Sequence, residues 1–140
     1  MDLAKYRNLF LEEATEHLAE ISRALLELEK DPGRSEAIDL VFRMAHSIKG
    51  MAGSLDYTTI AELAHALEDR MDACRAAGRV DAAVGLPLLF RGLEGLERMV
   101  EGVRQSGEPS APQPELLALL RGTPAPESTG APPKKALRRP

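Results

Sequence analysis

The chain has no tryptophan, one cysteine and only 4% aromatic residues among its 140. A lone cysteine, Cys74, excludes an intrachain disulfide and any cysteine-based metal cluster. So few rings exclude a core built around aromatic packing. Burial has to come from Leu, Ala, Val, Ile and Met, the usual filling of helical bundles. No apolar run approaches the roughly 20 residues that cross a bilayer. The opening MDLAKYRNLF has neither the basic start nor the apolar stretch of a secretory signal, so a soluble cytoplasmic protein without membrane insertion is expected. Neither a Gly-rich phosphate loop nor a Mg²⁺-binding asparagine motif is present, which leaves the chain without a nucleotide site of its own.

Charge of one sign is also scarce where a nucleic-acid partner would need it. The formal charge is −4, and the C-terminal stretch holds Lys134, Lys135, Arg138 and Arg139 against Glu127. The body is therefore more acidic than the total suggests, which argues against a phosphate-backbone partner.

What is present is helical periodicity, in four segments. The first repeats Phe10, Ala14, Leu18, Ile21, Leu25 and Leu28 until Asp31-Pro32-Gly33 breaks it. Ser35 is the predicted N-cap of the second, whose stripe is Val41, Ala45, Ile48, Ala52 and Leu55. Thr59 and Glu62 have the spacing of a capping box for the third. Its stripe is Ile60, Leu63, Leu67, Met71 and Cys74, and it stops at Gly78. The fourth carries Leu89, Leu93, Leu96, Val100 and Val103, with Pro87 tolerated in its first turn.

Heptad-like stripes with short connections predict an all-α fold, an up-and-down antiparallel four-helix bundle. Residues 114–121 add a short fifth helix that could dock on it, so the domain is placed at 1–121. Residues 122–140 have the composition of a Pro-rich flexible linker, which fits a first module of a longer protein.

The sequence MAHSIKGMAG, residues 44–53, breaks the pattern. A glycine inside a helix costs about 1 kcal/mol relative to alanine, and this segment holds two. At about 100° per residue, His46 falls roughly 135° from the centre of its helix's apolar stripe. Asp39, Phe42, Arg43, Lys49, Gly50 and Gly53 share its face. An isolated helical histidine is ordinarily a surface residue, and glycines can serve close helix packing. These glycines, however, fall on the histidine's face and not on the core face, which suits close approach by a partner. Lys49 would supply positive charge for an anion held at the ring.

On the third helix His65, Glu68 and Asp72 form a polar stripe at steps of three and four. Taken alone it reads as a solvated face. Packed antiparallel to the second helix, it can flank His46. A carboxylate accepting from one imidazole nitrogen leaves the other nitrogen's lone pair free, which makes an oriented nucleophile. Cys74 is expected in the core and His17 on the surface.

The stretch from Phe42 to Gly50, followed by Ala52-Gly53, resembles the phosphoacceptor motif of histidine phosphotransfer (HPt) domains. More narrowly, it resembles the N-terminal domain of the CheA family of chemotaxis histidine kinases. FLEEATEHLAEI and AHALEDRMDACRAAG are similar to that family too, so the likeness covers about the first hundred residues. The resemblance implies that His46 is phosphorylated, that Lys49 lies by the phosphoryl group, and that Glu68 hydrogen-bonds the imidazole with His65 in the same network. It implies a docking face of Gly50, Gly53, Arg43 and Phe42. It also implies no cofactor on this domain, with ATP and Mg²⁺ held by a separate kinase catalytic domain acting in trans. The onward partner would be the receiver domain of a response regulator. Met51 and Asp56 depart from the family, standing where glycine is common.

Three other readings use the same residues. A stand-alone phosphorelay protein would share the chemistry without an attached kinase. A metal-binding bundle could use His46, His65 and Glu68, but the second half of such a site is missing and Lys49 would sit beside the metal. A purely structural bundle explains the stripes and leaves the glycines unexplained.

Overall fold

In the computed structural model, which describes residues 2–122, five helices follow one another: α1 (Leu3–Lys30), α2 (Ser35–Ser54), α3 (Thr58–Ala77), α4 (Gly85–Ser106) and α5 (Pro114–Arg121). Helix α1 packs on α2 and α4, and α3 packs on α2 and α4, closing a four-membered ring of helices. The expected residues of the 122–140 linker lie outside the described residues apart from Gly122.

Each helix is there because one stripe of it is apolar. Phe10, Ala14, Leu18, Ile21, Leu25 and Leu28 of α1 are all buried, as are Val41, Ala45, Ile48 and Ala52 of α2. Ile60, Leu63, Leu67 and Met71 of α3 meet them, with Leu89, Leu93, Leu96, Val100 and Val103 of α4. Fully burying a Leu, Ile or Val contributes about 1.5–3 kcal/mol, so these stripes hold the bundle together without large rings.

The ends of the helices show why neighbours run antiparallel. At one end the turn after α1 meets the turn after α3, where Val80 N–H donates to the Pro32 carbonyl at 2.9 Å. At the other, Tyr57 before α3 packs edge-on against Phe10 near the start of α1, with ring centroids 5.2 Å apart. Two predicted caps are corrected. Helix α2 is capped by Arg34 with no side-chain hydrogen bond, and Ser35 is already its first residue. Helix α3 begins at Thr58 after Tyr57, also without a side-chain cap. Starting there puts Thr59 inside the first turn, where its hydroxyl is buried without a partner and cannot close a box with Glu62. Tyr57, the residue before that start, is the one whose ring packs on Phe10.

The fifth helix docks on α3 and α4 through buried Leu116 and Leu120. Glycines of α4 make room: a Cβ at Gly95 would lie 2.9 Å from Leu63 and 3.1 Å from Leu116, and one at Gly92 3.3 Å from Leu120. Arg70 of α3 donates to the Leu119 and Leu120 carbonyls, each at 3.4 Å, closing the last turn of α5. Asp56, in the α2–α3 turn, adopts φ +60, the left-handed region where glycine is at ease. That is the physical content of its departure from the resembled pattern.

Candidate functional site

Helices α2 and α3 bring three of the predicted residues together at mid-height. His46 leaves α2 on the side away from its buried stripe, and its side chain is 62% exposed. Glu68 leaves α3 next to Leu67 and Met71 and is the one buried polar residue among those described, at 7% exposure. The imidazole Nδ1–H donates to Glu68 Oε2 at 2.6 Å. Lys49, one turn after His46, places Nζ 2.6 Å from the other carboxylate oxygen, Oε1. One carboxylate thus holds two groups of the neighbouring helix, one on each oxygen.

Burial by itself would raise the Glu68 carboxyl, but the hydrogen bonds and charges of Lys49 and His46 together outweigh it and hold it below the ordinary carboxylate value. Glu68 is therefore an anion at neutral pH. As a pure acceptor it fixes the His46 proton on Nδ1 and leaves the Nε2 lone pair unprotonated. The geometry delivers an exposed imidazole with one nitrogen anchored and the other bare. Such a group is a nucleophile whose orientation is set in advance.

Lys49, expected to supply positive charge for an anion held at the ring, pairs its ammonium with Glu68 beside that ring. Its first effect is to keep the carboxylate ionised and in place. His65 is not brought into the pair. Its Nε2 faces Asp69 at 3.5 Å, one turn further along α3, and no hydrogen bond or ion pair joins it to His46 or Glu68 among the described residues. Position 65 is rotated outward from position 68, and its ring remains more than half exposed.

Asp72, the other member of the polar stripe, is engaged by a residue that sequence reasoning missed. Arg75 donates to Asp72 at 3.0 Å and lies 3.8 Å from Asp39 of α2. Its guanidinium carbon stands 4.0 Å from the centroid of the Phe42 ring. The Phe42 ring in turn lies nearly parallel to the His46 imidazole, at 11° and 6.5 Å between centroids. The signal lies in the sequence, where residues 65, 68, 72 and 75 continue one three–four stripe.

The glycines are as open as predicted. A Cβ added at Gly50 or at Gly53 would meet nothing within 4 Å, so no contact within the bundle requires either. Arg43 is exposed on the same helix and Phe42 half-buried. Cys74 is half-buried beside the core, and burial pushes its thiol up, away from the reactive thiolate. His17 is half-buried where a surface residue was expected, and its Nδ1 is fully enclosed without a partner. Among the described residues no group of three His, Cys, Asp or Glu side chains is arranged to hold a metal ion, and no helix is long and apolar enough to cross a membrane.

Comparison with known proteins agrees with this geometry. The family model described as "Hpt domain" matches residues 5–106. Chemotaxis protein CheA of Bacillus subtilis (strain 168) is 36% identical over 138 residues, covering 97% of this chain and 20% of that protein. The chain thus spans about a fifth of that relative's length. Among solved structures, a histidine phosphotransfer domain of CheA superposes with a TM-score of 0.76 at 28% identity, covering 90% of this chain and 98% of that one. The fold is also that of the phosphorylated P1 domain of CheA3 from R. sphaeroides, solved in complex with CheY6. That match has a TM-score of 0.74 at 22% identity and covers 84% of this chain and 94% of that one.

Proposed function

This chain belongs to the Hpt domain family and is a CheA-type histidine phosphotransfer domain, and from that premise we propose that His46 is its phosphoacceptor. The observation that carries the assignment is the 2.6 Å hydrogen bond from His46 Nδ1 to buried Glu68 on an otherwise exposed ring. It is the arrangement a nucleophilic imidazole needs, and the bundle builds it at one place among the described residues.

In the forward reaction Nε2 attacks the γ-phosphorus of ATP. The N–P bond forms as the bond from phosphorus to the bridging oxygen breaks, and ADP leaves. The ring keeps its Nδ1 proton and gains positive character, which the Glu68 carboxylate offsets. Phosphoryl transfer depends mostly on positioning and electrostatics, so this domain supplies an oriented nucleophile while a separate kinase catalytic domain, acting in trans, supplies ATP and Mg²⁺. Lys49 steadies Glu68 and adds cationic charge near the transferred group. In the second reaction an aspartate carboxylate of a response regulator receiver domain attacks the same phosphorus and the imidazole leaves. The CheA3 domain solved with CheY6 supports a partner of that class. Gly50 and Gly53, with Phe42 and Arg43 beside them, form the face on which either partner seats.

We infer a cytoplasmic setting and a role as the phosphoacceptor module of a chemotaxis-type kinase, a reading supported by the similarity to a CheA protein of which this chain covers 20%. The test is incubation with ATP and a CheA-type kinase domain that lacks its own phosphotransfer module. The chain should gain one phosphoryl group that acid removes and base leaves in place. An unlabelled chain, with a control phosphotransfer domain labelled in parallel, would sink the proposal.

A further inference from the structure

His46 is anchored on its α3 side, and its other side opens on a hollow of about 380 Å³ between α1 and α2. Glu13, His17, Ser47 and Gly50 line this hollow together with His46. A phosphoryl group on Nε2 brings close to two negative charges to this region. Of the cations near the ring, Lys49 is also held by Glu68 and Arg75 by Asp72 and Asp39, while Arg43 is exposed on the same helix as His46. Glu13, at the wall of the hollow, opposes an anion. A donor at that wall would offset this carboxylate, and α1 supplies one.

That donor is His17, one turn after Glu13 on α1. Its Nδ1 is enclosed and has no hydrogen-bond partner, while the residue keeps part of its surface. A neutral imidazole carries a single N–H, and an enclosed N–H without an acceptor is the rarer and costlier arrangement in folded proteins. The ring's proton therefore belongs on Nε2, the nitrogen that is not sealed. Gly50, one turn after His46, leaves the space beside the two rings clear, since a Cβ there would touch nothing within 4 Å.

We propose that His17 is a phosphoryl-binding residue, its Nε2–H donating to an oxygen of the phosphoryl group carried on His46. No bond to His17 forms or breaks, and its proton stays in place. The donor favours the phosphorylated state and sets the orientation in which phosphorus is offered to the next carboxylate. The inference rests on His46 being the phosphoacceptor.

The test uses the chain labelled with ¹⁵N at its three histidines and phosphorylated by ATP and a CheA-type kinase domain. Long-range ¹H–¹⁵N spectra before and after should show the His17 Nε2 resonance moving together with that of His46, while His65 stays in place. His17→Phe, checked for unchanged helical content, should shorten the lifetime of the phosphorylated form about tenfold, the scale of one hydrogen bond to a charged group. His17→Asn, which restores an N–H donor, should recover part of that loss. A labelled His46 with an unmoved His17 resonance, or a His17→Phe lifetime equal to wild type, would overturn the inference and leave the acceptor assignment standing. No label on His46 would remove both.

Discussion

Glu68 reaches His46 across the α2–α3 interface at 2.6 Å, and the two differ sharply in exposure. The carboxylate is buried while the imidazole stands mostly in solvent. A buried anchor on an exposed ring separates the two demands on the site. The nucleophile has to be reachable, and the group that orients it must not wander.

Replacing Glu68 by Gln removes the charge and keeps the shape. Misplacement of a reacting group by about 1 Å can cost roughly 100-fold, so phosphorylation of Glu68→Gln should slow by about 10- to 100-fold with an unchanged helical circular dichroism spectrum. A rate within twofold of wild type would remove the orienting role.

The same carboxyl predicts a pH dependence of stability. Its native value is lowered from the ordinary 4.5, so the folded state binds its proton less readily than the unfolded chain. Such a group adds stability above the unfolded value and loses it as pH falls through the lowered native value. Thermal melts from pH 6 down to about 3 should therefore show a fall in Tm that is shallower in Glu68→Gln. Parallel curves for the two proteins would show that other carboxylates govern the acid limb.

Gly50 and Gly53 should trade stability against function. With nothing near either Cβ position, Gly50→Ala should raise stability by about 1 kcal/mol, and Gly53→Ala by less because it lies in the last turn of α2. Both variants should slow phosphoryl transfer to a receiver domain. Denaturant unfolding and a transfer time course check the two halves separately. Faster transfer in the stabilised variants would contradict the clearance role.

Arg75 should matter although it touches no reacting atom. It covers Phe42, which lies parallel to the imidazole, and an exposed cation–π contact is worth about 0.5–1 kcal/mol. Arg75→Ala should reduce phosphorylation about three- to tenfold through loosened ring placement, with Arg75→Lys partly restoring it. A pure loss of stability with unchanged kcat and KM would confine Arg75 to a structural part.

The docking of α5 can be broken at one position. Gly95→Val would push against Leu63 and Leu116, whose atoms already lie 2.9 and 3.1 Å from an added Cβ. Overpacking of this kind costs about 1–3 kcal/mol, and the amides of α5 should exchange faster while those around His46 do not. Equal protection of α5 in both proteins would show that it docks independently of this gap.

Periodicity made most of this legible in the sequence. The stripes of α1 to α4 name the larger part of the core, because a 3.6-residue repeat converts directly into a buried face; flanking residues such as Leu11, Ile38, Leu86 and Met99 are buried as well. Glu68 beside His46 was legible as well, since an antiparallel pair of helices brings their flanking polar positions together. What could not be read were contacts fixed by side-chain rotamers and by turns. Lys49 pairs with Glu68, and His65 faces Asp69. Helix α3 starts at Thr58, ahead of the expected box, with Tyr57 as its N-cap and packed on Phe10. His17 is half-buried in a hollow it shares with residues of α2, and a single-helix wheel carries no information about the neighbour.

The site of phosphorylation can be tested directly. Wild-type chain and His46→Gln, matched for helical content, are incubated with ATP and a CheA-type kinase domain and followed by intact mass and acid lability. One acid-labile, base-stable phosphoryl group on the wild type and none on the variant is the predicted result. Equal labelling of the variant would contradict the account, because the nucleophile would then lie elsewhere than on the nitrogen that Glu68 leaves bare.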